Sequence, residues 1–300
     1  MGAFVTACGT ATPTGAPTII ATTGRPLSLA PVFALMRPPG EIVGAVPSTV
    51  ELPPRPPVSL RVTTTVDGAV DLIRRGQATA AIVPRGSATG ITGWKLANGV
   101  EVPPVSPATF ASPGPIRLVV RRDSVGGPRL ASGRLAPRDR PFRFAYLPTP
   151  WGLPIDALVG EVIPRFVRAV TGSSDFDGLP FIDGGRWEAF ATENEAVNAL
   201  VDDRADAAAL WPEGAAYALR NPAFALAATL EPTGRWAEAA TPVIVGTVPP
   251  AVEAWITALG SALDGPHAVA LLRAALPERD PLTLAGAAAL RHADWTPPSA

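Results

Sequence analysis

Two stretches of the chain repeat one pattern of apolar and polar positions. The first runs from Leu60 to Pro84 and opens with a short aliphatic run and a threonine-rich turn. Ala69, Leu72 and Ile73 then fall at helical spacing. Gly76 follows two arginines, a sequence that suits the end of a helix. A second short apolar run completes the stretch. This order predicts strand, turn, helix and strand, which together form one parallel β-α-β unit.

The same succession returns from Ala196 to Pro212, after a Thr192-x-x-Glu195 sequence that predicts a capping box. Small side chains recur at matching places in the two stretches. The matched pairs are Ala69 and Ala196, Val70 and Val197, Ala78 and Ala205, Ala80 and Ala207, and Ala81 and Ala208. Two such units predict two similar lobes.

Further apolar runs predict the elements that complete these lobes. Predicted strands occupy Thr18 to Ala21, Ile116 to Arg121, Phe142 to Leu147, Phe181 to Ile182, and Thr241 to Val248. Predicted helices occupy Leu29 to Met36, Leu153 to Val170, Ala215 to Leu219, and three stretches between Ala251 and Arg291. We expect these last three to cover the first lobe. Proline recurs from Pro38 to Pro57, so an extended loop is predicted there.

Composition narrows the class of protein. The chain has 300 residues, enough for a sizeable core, with 47% hydrophobic residues and a formal net charge of −1. It therefore lacks the basic excess of a nucleic-acid binder and the acidic excess of a disordered tail. The 36 prolines and 28 glycines are scattered and punctuate loops. No apolar run reaches the roughly 20 residues that a membrane-spanning helix needs. The composition predicts a soluble globular protein.

The single cysteine, Cys8, rules out intramolecular disulfides and multi-thiolate metal sites. Its surroundings, Val5-Thr6-Ala7-Cys8-Gly9, resemble the lipobox of bacterial lipoproteins, and Gly9 to Pro17 has the composition of a flexible tether. Residues 1–7 lack a cationic segment and a full apolar segment, so the signal that a lipobox requires is truncated here. We interpret residues 1–17 as a lipobox remnant and tether. The alternative is an incidental cysteine in a flexible N-terminus.

Ligands of open parallel sheets bind at the carboxyl ends of strands. Backbone N–H groups, hydroxyls and cations in such turns suit an anionic or hydrogen-bonding ligand, and indole rings suit a planar or apolar ligand part. The candidates are Thr23, Arg25, Thr64 and Thr65 from the first lobe, and Thr149, Trp151, Trp211 and Glu213 from the second. Each also has a structural explanation: the threonines complete turns, Arg25 is solvated, the tryptophans pack in the core, and Glu213 caps the following helix.

An enzymatic site finds little support. Both histidines, His267 and His292, lie in the C-terminal helices rather than in strand-end turns, so no general base is expected beside the candidate ligand groups. The zinc-protease, Cys-x-x-Cys, P-loop and dinucleotide signatures are also missing. The sequence thus predicts no catalytic residue, metal site or cofactor.

Three segments carry a resemblance to a known family. They are Ala69 to Ala81, Arg204 to Trp211, and Ile116 to Ser124. The chain resembles the solute-binding proteins of bacterial ABC importers with the type II periplasmic-binding fold, in particular the phosphonate, nitrate, sulfonate and thiamine-precursor groups. It departs from them at Thr79, where the family often has Asp, at Asp202-Asp203, which ends the second helix without Gly, and in the turn after the first strand.

The resemblance implies a two-lobed α/β fold in which each lobe is a mostly parallel sheet flanked by helices. Residues 18–112 and 246–300 would form the first lobe, and residues 113–245 the second. It further implies a monomer that captures a small molecule between the lobes and delivers it to an ABC permease, outside the cytoplasm and held to the membrane by a lipid anchor. Two alternatives remain: an enzyme on the same fold, of thiamine-precursor or menaquinone-pathway type, or a ligand-sensing domain of a signalling system.

Overall fold

The computed structural model describes residues 18–23, 29–37, 39–46, 48–63, 65–88, 90–91, 93–95, 101–102, 106–107, 115–122, 143–147, 160, 186–190, 192–231, 233–234, 237, 241–262, 268–275, 285–286 and 288–291. The predicted strand at Phe181, the predicted tether and, apart from residue 160, the predicted helix Leu153 to Val170 lie outside these residues. Within the described part of the chain, no helix is long and apolar enough to cross a membrane.

In the part of the chain that the structure describes, ten strands form two sheets of five. The first sheet contains β1 (Thr18–Thr23), β2 (Val58–Thr63), β3 (Ala80–Pro84), β4 (Ser106–Pro107) and β10 (Pro242–Gly246), in the order β2-β1-β3-β10-β4. The second contains β5 (Ile116–Arg121), β6 (Arg143–Tyr146), β7 (Arg186–Ala189), β8 (Ala207–Leu210) and β9 (Phe224–Leu230), in the order β7-β6-β8-β5-β9. In each sheet three neighbouring strands are parallel and the fourth runs antiparallel to them. The predicted α/β fold with two mostly parallel sheets is confirmed.

The described helices lie between and after these strands. They are α1 (Ala30–Phe33), which continues as a 3-10 turn (Ala34–Met36), α2 (Pro39–Ala45), α3 (Val66–Arg74), α4 (Arg85–Ala88), α5 (Glu193–Val201), α6 (Pro212–Ala218), α7 (Pro250–Ser261) and α8 (Ala268–Ala275). The chain passes from the first sheet to the second between β4 and β5, and it returns between β9 and β10.

The two predicted β-α-β units have the same local structure. Thr65 caps α3 with φ −135° and ψ 156°, and its side chain accepts a hydrogen bond from the backbone N–H of Gly68. Thr192 caps α5 with φ −132° and ψ 152°, and accepts in the same way from Glu195. The Glu195 side chain also accepts from the Thr192 N–H, so the predicted capping box is confirmed.

The two helices also end alike, although their sequences differ there. Gly76 leaves α3 with φ 69°, and Asp203 leaves α5 with φ 55° at the corresponding position. In each unit the next two backbone N–H groups donate to a single carbonyl, that of Leu72 in the first and of Ala199 in the second. Aspartate is among the few side chains that tolerate this left-handed conformation, so the missing glycine is replaced rather than lost.

Alternation along the strands divides the core into faces. In β1, Ile20 belongs to the largest buried cluster, whereas Ala21 belongs to a second cluster with side chains of α3. The second sheet likewise buries one face against α5 and α6. Its other face joins the largest cluster, which also contains the buried side chains of α7 and α8. The last two helices contact α1 and α2, so their predicted packing on the first lobe is confirmed.

Three parts of the sequence interpretation were wrong or incomplete. Residues Pro39–Ala45 form a helix inside the predicted extended loop. Pro39 is tolerated there because it is the first residue of the helix, where a backbone N–H would have no partner within the helix. The strand Pro242–Gly246 pairs with β3, so the return to the first sheet occurs before residue 242, whereas the sequence placed it near 246. The strands Phe224–Leu230 and Arg186–Ala189 were missed: the first contains three alanines, a residue depleted in strands, and the second has only four residues.

A buried ionic group fixes the starts of the strands in the second sheet. Asp206 is completely buried, and its carboxylate accepts from the backbone N–H of Arg143 at 2.9 Å and from its guanidinium at 3.4 Å. The Arg143 guanidinium also lies 3.0 Å from the Asp203 carboxylate. The Arg121 guanidinium lies 3.7 Å from the same carboxylate. These contacts join the end of β5 to the starts of β6 and β8, at the edge of the sheet opposite the carboxyl ends of its parallel strands.

Removing the Asp206 carboxylate tests this connection. We expect Asp206→Ala to lower the free energy of unfolding by about 1–3 kcal/mol, because it leaves the backbone N–H of Arg143 without its acceptor and removes one of the two carboxylates beside the part-buried Arg143 guanidinium. Asp206→Asn, which keeps one acceptor oxygen, should cost less. Asp202→Ala is the matched control, since its side chain is exposed and 3.8 Å from Arg204, and a change of about 0.5 kcal/mol or less is expected. Urea denaturation measures all three, and equal losses for Asp206→Ala and Asp202→Ala would contradict this role.

Candidate functional site

The candidate site consists of the carboxyl ends of the parallel strands in each sheet. In the first sheet these ends bring together Thr22, Thr63 and the Thr65 cap of α3. The Thr63 hydroxyl lies 2.8 Å from the carbonyl oxygen of Thr65 and 3.3 Å from that of Thr22. The Thr63 side chain therefore joins the turn to the end of β1.

Thr22 is the most informative residue of this end. It is completely buried, and among the described residues none forms a hydrogen bond with its Oγ1 atom. A buried hydroxyl without a partner costs about 1–3 kcal/mol relative to a satisfied one. This hydroxyl lies at the carboxyl end of β1, and ligands of open parallel sheets bind at the carboxyl ends of the strands.

The corresponding place in the second sheet carries an aromatic residue. Thr22 is opposite Ile82 in β3, and the matching pairing of β6 with β8 puts Tyr146 in the equivalent position. Tyr146 is 7% exposed and lies in the largest buried cluster together with Trp211. The two sheets thus present different chemistry at equivalent strand ends.

A carboxylate organises the second strand end. Glu193, the first residue of α5, is 8% exposed, and its Oε1 atom accepts from the backbone N–H of Trp211 at 2.6 Å. Trp211 is the N-cap residue of α6. The carboxylate therefore lies near the starts of two helices, where the positive ends of the helix dipoles favour a negative charge.

This carboxylate fits because Gly214 has no side chain. A Cβ atom on Gly214 would lie 2.7 Å from the Cγ atom of Glu193, a separation that real Cβ atoms essentially never show. Glu193 is also the divergent member of its pair, because Val66 occupies the same place at the start of α3. The sequence interpretation missed Glu193, although aligning the two units would have revealed an acid where the first unit has an apolar residue.

The structure places some of the predicted ligand residues and leaves others undescribed. Thr65 caps α3, and Trp211 is 9% exposed. Glu213 is 1% exposed and lies in the first turn of α6, which is the helix-capping position considered as the alternative to ligand binding. Thr23 ends β1, and its backbone is described. The remaining candidates, Arg25, Thr64, Thr149, Trp151 and the lipidation residue Cys8, lie outside the described residues. Ligand binding by these residues stays a prediction.

The chemistry of the described site is hydrogen bonding and apolar contact. The carboxyl end of the first sheet offers hydroxyls and the start of a nine-residue helix. The carboxyl end of the second offers the buried rings of Tyr146 and Trp211, and the Glu193 carboxylate accepts a hydrogen bond from the backbone of Trp211. In the described part of the chain, no group of three or more His, Cys, Asp or Glu residues could hold a metal ion. The arrangement suits recognition of a small polar molecule.

A double-mutant cycle tests the contact between Glu193 and Gly214. We expect Gly214→Ala to destabilise the protein by about 1–3 kcal/mol, because the new methyl group overpacks against the fixed carboxylate. Glu193→Ala should cost about 2–3 kcal/mol through the lost charge-assisted hydrogen bond, and Glu193→Gln should cost less because it keeps an acceptor.

In the Glu193→Ala background the Gly214→Ala change should become neutral or stabilising, since alanine is better than glycine inside a helix by about 0.5–1 kcal/mol. Chemical denaturation of the four proteins gives the coupling energy. Strict additivity of the two changes would show that the carboxylate is not held in this place.

No protein-family model matches the chain, and no curated protein does. Similar solved structures include an ABC transporter from Parabacteroides distasonis, with 16% identity, 94% of this chain and 82% of that chain covered, and a TM-score of 0.46. MatC from Rhodopseudomonas palustris with bound malate has 15% identity, coverage of 92% and 96%, and a TM-score of 0.47.

A periplasmic substrate-binding protein of an ABC transporter from Coxiella burnetii has 14% identity, coverage of 86% and 95%, and a TM-score of 0.46. The fold is defined by the chain's own topology, in which two sheets each have three parallel strands in the order second-first-third and two connections pass between the sheets. The chain has an α/β fold in which two mostly parallel sheets are flanked by helices.

Proposed function

We propose that this chain is an extracytoplasmic solute-binding lipoprotein that captures a small molecule between its two lobes and delivers it to an ABC importer. Its ligand contacts include the strand ends of both sheets, and closure of the lobes presents a form that a permease recognises. The chain acts as a monomer and forms no covalent intermediate with its ligand.

The observation that carries this proposal is the repetition of one β-α-β unit in two sheets, between which the described elements show the chain passing twice. Each unit directs its strand ends toward the start of a helix. Two similar surfaces joined by few connections can move as bodies about those connections, which suits capture by closure better than a single rigid pocket does.

The difference between the two surfaces supports the ligand class. The first lobe contributes the buried Thr22 hydroxyl and the start of α3, while the second contributes Tyr146 and Trp211. A ligand with a hydrogen-bonding group at one end and a planar or apolar part at the other complements both. Sulfonates, phosphonates and substituted pyrimidines have this form.

A thermal-shift screen of small anions, sulfonates, phosphonates and pyrimidines tests the proposal. A ligand that binds the folded state stabilises it by RT ln(1 + [L]/Kd), about 2.7 kcal/mol at a concentration of 100 Kd. We expect at least one hit that is recovered unchanged after incubation with the protein. Chemical conversion of the hit would favour the enzyme, and the absence of any hit across these classes would count against the ligand class.

Thr22→Val separates ligand binding from stability. The side chains have nearly the same shape, so removing a buried hydroxyl that lacks a partner among the described residues should leave stability unchanged or raise it. If the hydroxyl meets the ligand, the same change should weaken binding about tenfold, the equivalent of one hydrogen bond of roughly 1.4 kcal/mol.

Thr22→Ser, which keeps the hydroxyl, is the matched variant and should retain most of the affinity. Isothermal titration with a hit from the screen measures both variants. Wild-type affinity in Thr22→Val would remove Thr22 from the proposed site.

The anchor requires a separate experiment. Expression from the complete gene in a lipoprotein-processing bacterium, with a labelled fatty acid in the medium, should give a labelled protein in the membrane fraction. Cys8→Ser should abolish the label and release the protein. An unlabelled wild-type protein in the soluble fraction would exclude the anchor while leaving solute binding open.

A further inference from the structure

The last described residues connect both lobes. Leu290 is completely buried in the largest core cluster, and its carbonyl oxygen accepts a hydrogen bond from the guanidinium of Arg273 in α8. Helix α8 contacts α1 and α2 and thus belongs to the first lobe. One end of this segment is therefore fixed to the first lobe.

The other end contacts the second lobe. A Cβ atom on Gly286 would lie 2.8 Å from the carbonyl carbon of Glu213 and 3.3 Å from its Cβ atom. Glu213 is in the first turn of α6, which contacts β5, β8 and α5 of the second sheet. The backbone of Gly286 thus lies directly against the backbone of the second lobe, at a distance that only glycine permits.

One helical turn holds these two ends together. The backbone N–H of Leu290 donates to the carbonyl oxygen of Gly286 at 3.0 Å. We call Gly286 and residues 288–290 the strap. Because one helical turn spans only about 5.4 Å, the contact with Glu213 and the contact with Arg273 cannot separate unless one of them breaks.

We propose that the strap is a third link between the lobes, which favours the arrangement seen in the structure and thereby sets how readily the lobes open. Among the described elements the chain passes between the sheets twice, and the strap adds a direct contact between the lobes at Gly286 and Glu213. Contacts made in one of two states shift the equilibrium toward that state by their free energy. The strap concerns the lobe equilibrium of the proposed binding function, and its test uses no ligand.

The strap meets α6 beside the candidate site. Glu213 follows Trp211 by two residues, and the Trp211 N–H is the donor to Glu193. Movement of the strap therefore acts on the helix start that holds the second strand end. A change in the strap reaches the site through this helix without touching the ligand.

Gly286→Ala tests the proposal, because the added methyl group cannot fit against Glu213. Gly44→Ala in α2 is the matched control, since a Cβ atom there meets nothing within 4 Å. Spin labels on Val43→Cys in the first lobe and Val201→Cys in the second, in a Cys8→Ser background, report the distance between the lobes. The two valines are 62% and 52% exposed, so both accept a label.

Pulsed electron paramagnetic resonance without ligand should give one main distance for the parent protein and for Gly44→Ala. In Gly286→Ala we expect the population at that distance to fall about fivefold relative to longer distances, the low end of typical coupling between sites. Circular dichroism must show a folded protein, and Arg273→Gln, which removes the other attachment, should change the distances in the same direction.

Unchanged distances in both folded variants would overturn the proposal. An equal change in Gly44→Ala would also overturn it, since that result would not depend on the strap. These outcomes are independent of any ligand. Failure to find a ligand therefore counts against the proposed function, whereas unchanged lobe distances count against the strap alone.

Discussion

The parallel pairing of three neighbouring strands in each sheet is the constraint on which the rest of the structure depends. Parallel strands need a crossover, and in the described part of the chain α3 crosses from β2 to β3 and α5 from β7 to β8, each packed on one face of its sheet. The same pairing brings all three carboxyl ends to one edge. A sheet built in this way has both its hydroxyl turns and its helix starts at that edge, whatever the ligand is.

The two units keep this geometry and differ in side chains. Caps, helix exits and strand register match, whereas Val66 in the first unit corresponds to Glu193 in the second. In the second lobe the Glu193 carboxylate lies at the start of α6 and accepts a hydrogen bond from the backbone N–H of Trp211. The first lobe has no such acid at that place and instead buries the Thr22 hydroxyl. Shared geometry with divergent chemistry lets one ligand be recognised differently at its two ends.

Local signals in the sequence were enough for the repeated units. The Thr192-x-x-Glu195 capping box, the small residues that pack helix on strand, and the apolar strand Ile116–Arg121 all appear where the sequence predicts them. These features depend on neighbours within a few residues, so composition and spacing reveal them.

Features decided by tertiary contacts were not predictable in the same way. The helix Pro39–Ala45 forms amid prolines because it packs on α8, and β10 belongs to the first sheet because it pairs with β3. The role of Glu193 depends on Gly214, which lies 21 residues later in sequence and beside it in space. Buried tryptophan and buried glutamate at the second strand end likewise follow from packing that no local pattern specifies.

The most direct test of the account is a crystal structure of the protein with a ligand found by the thermal-shift screen. The account predicts that the ligand lies between the carboxyl ends of β1 and β6, with a polar atom about 3 Å from the Thr22 hydroxyl oxygen. Ligand bound away from both strand ends, or contact with one lobe only, would contradict capture between the lobes.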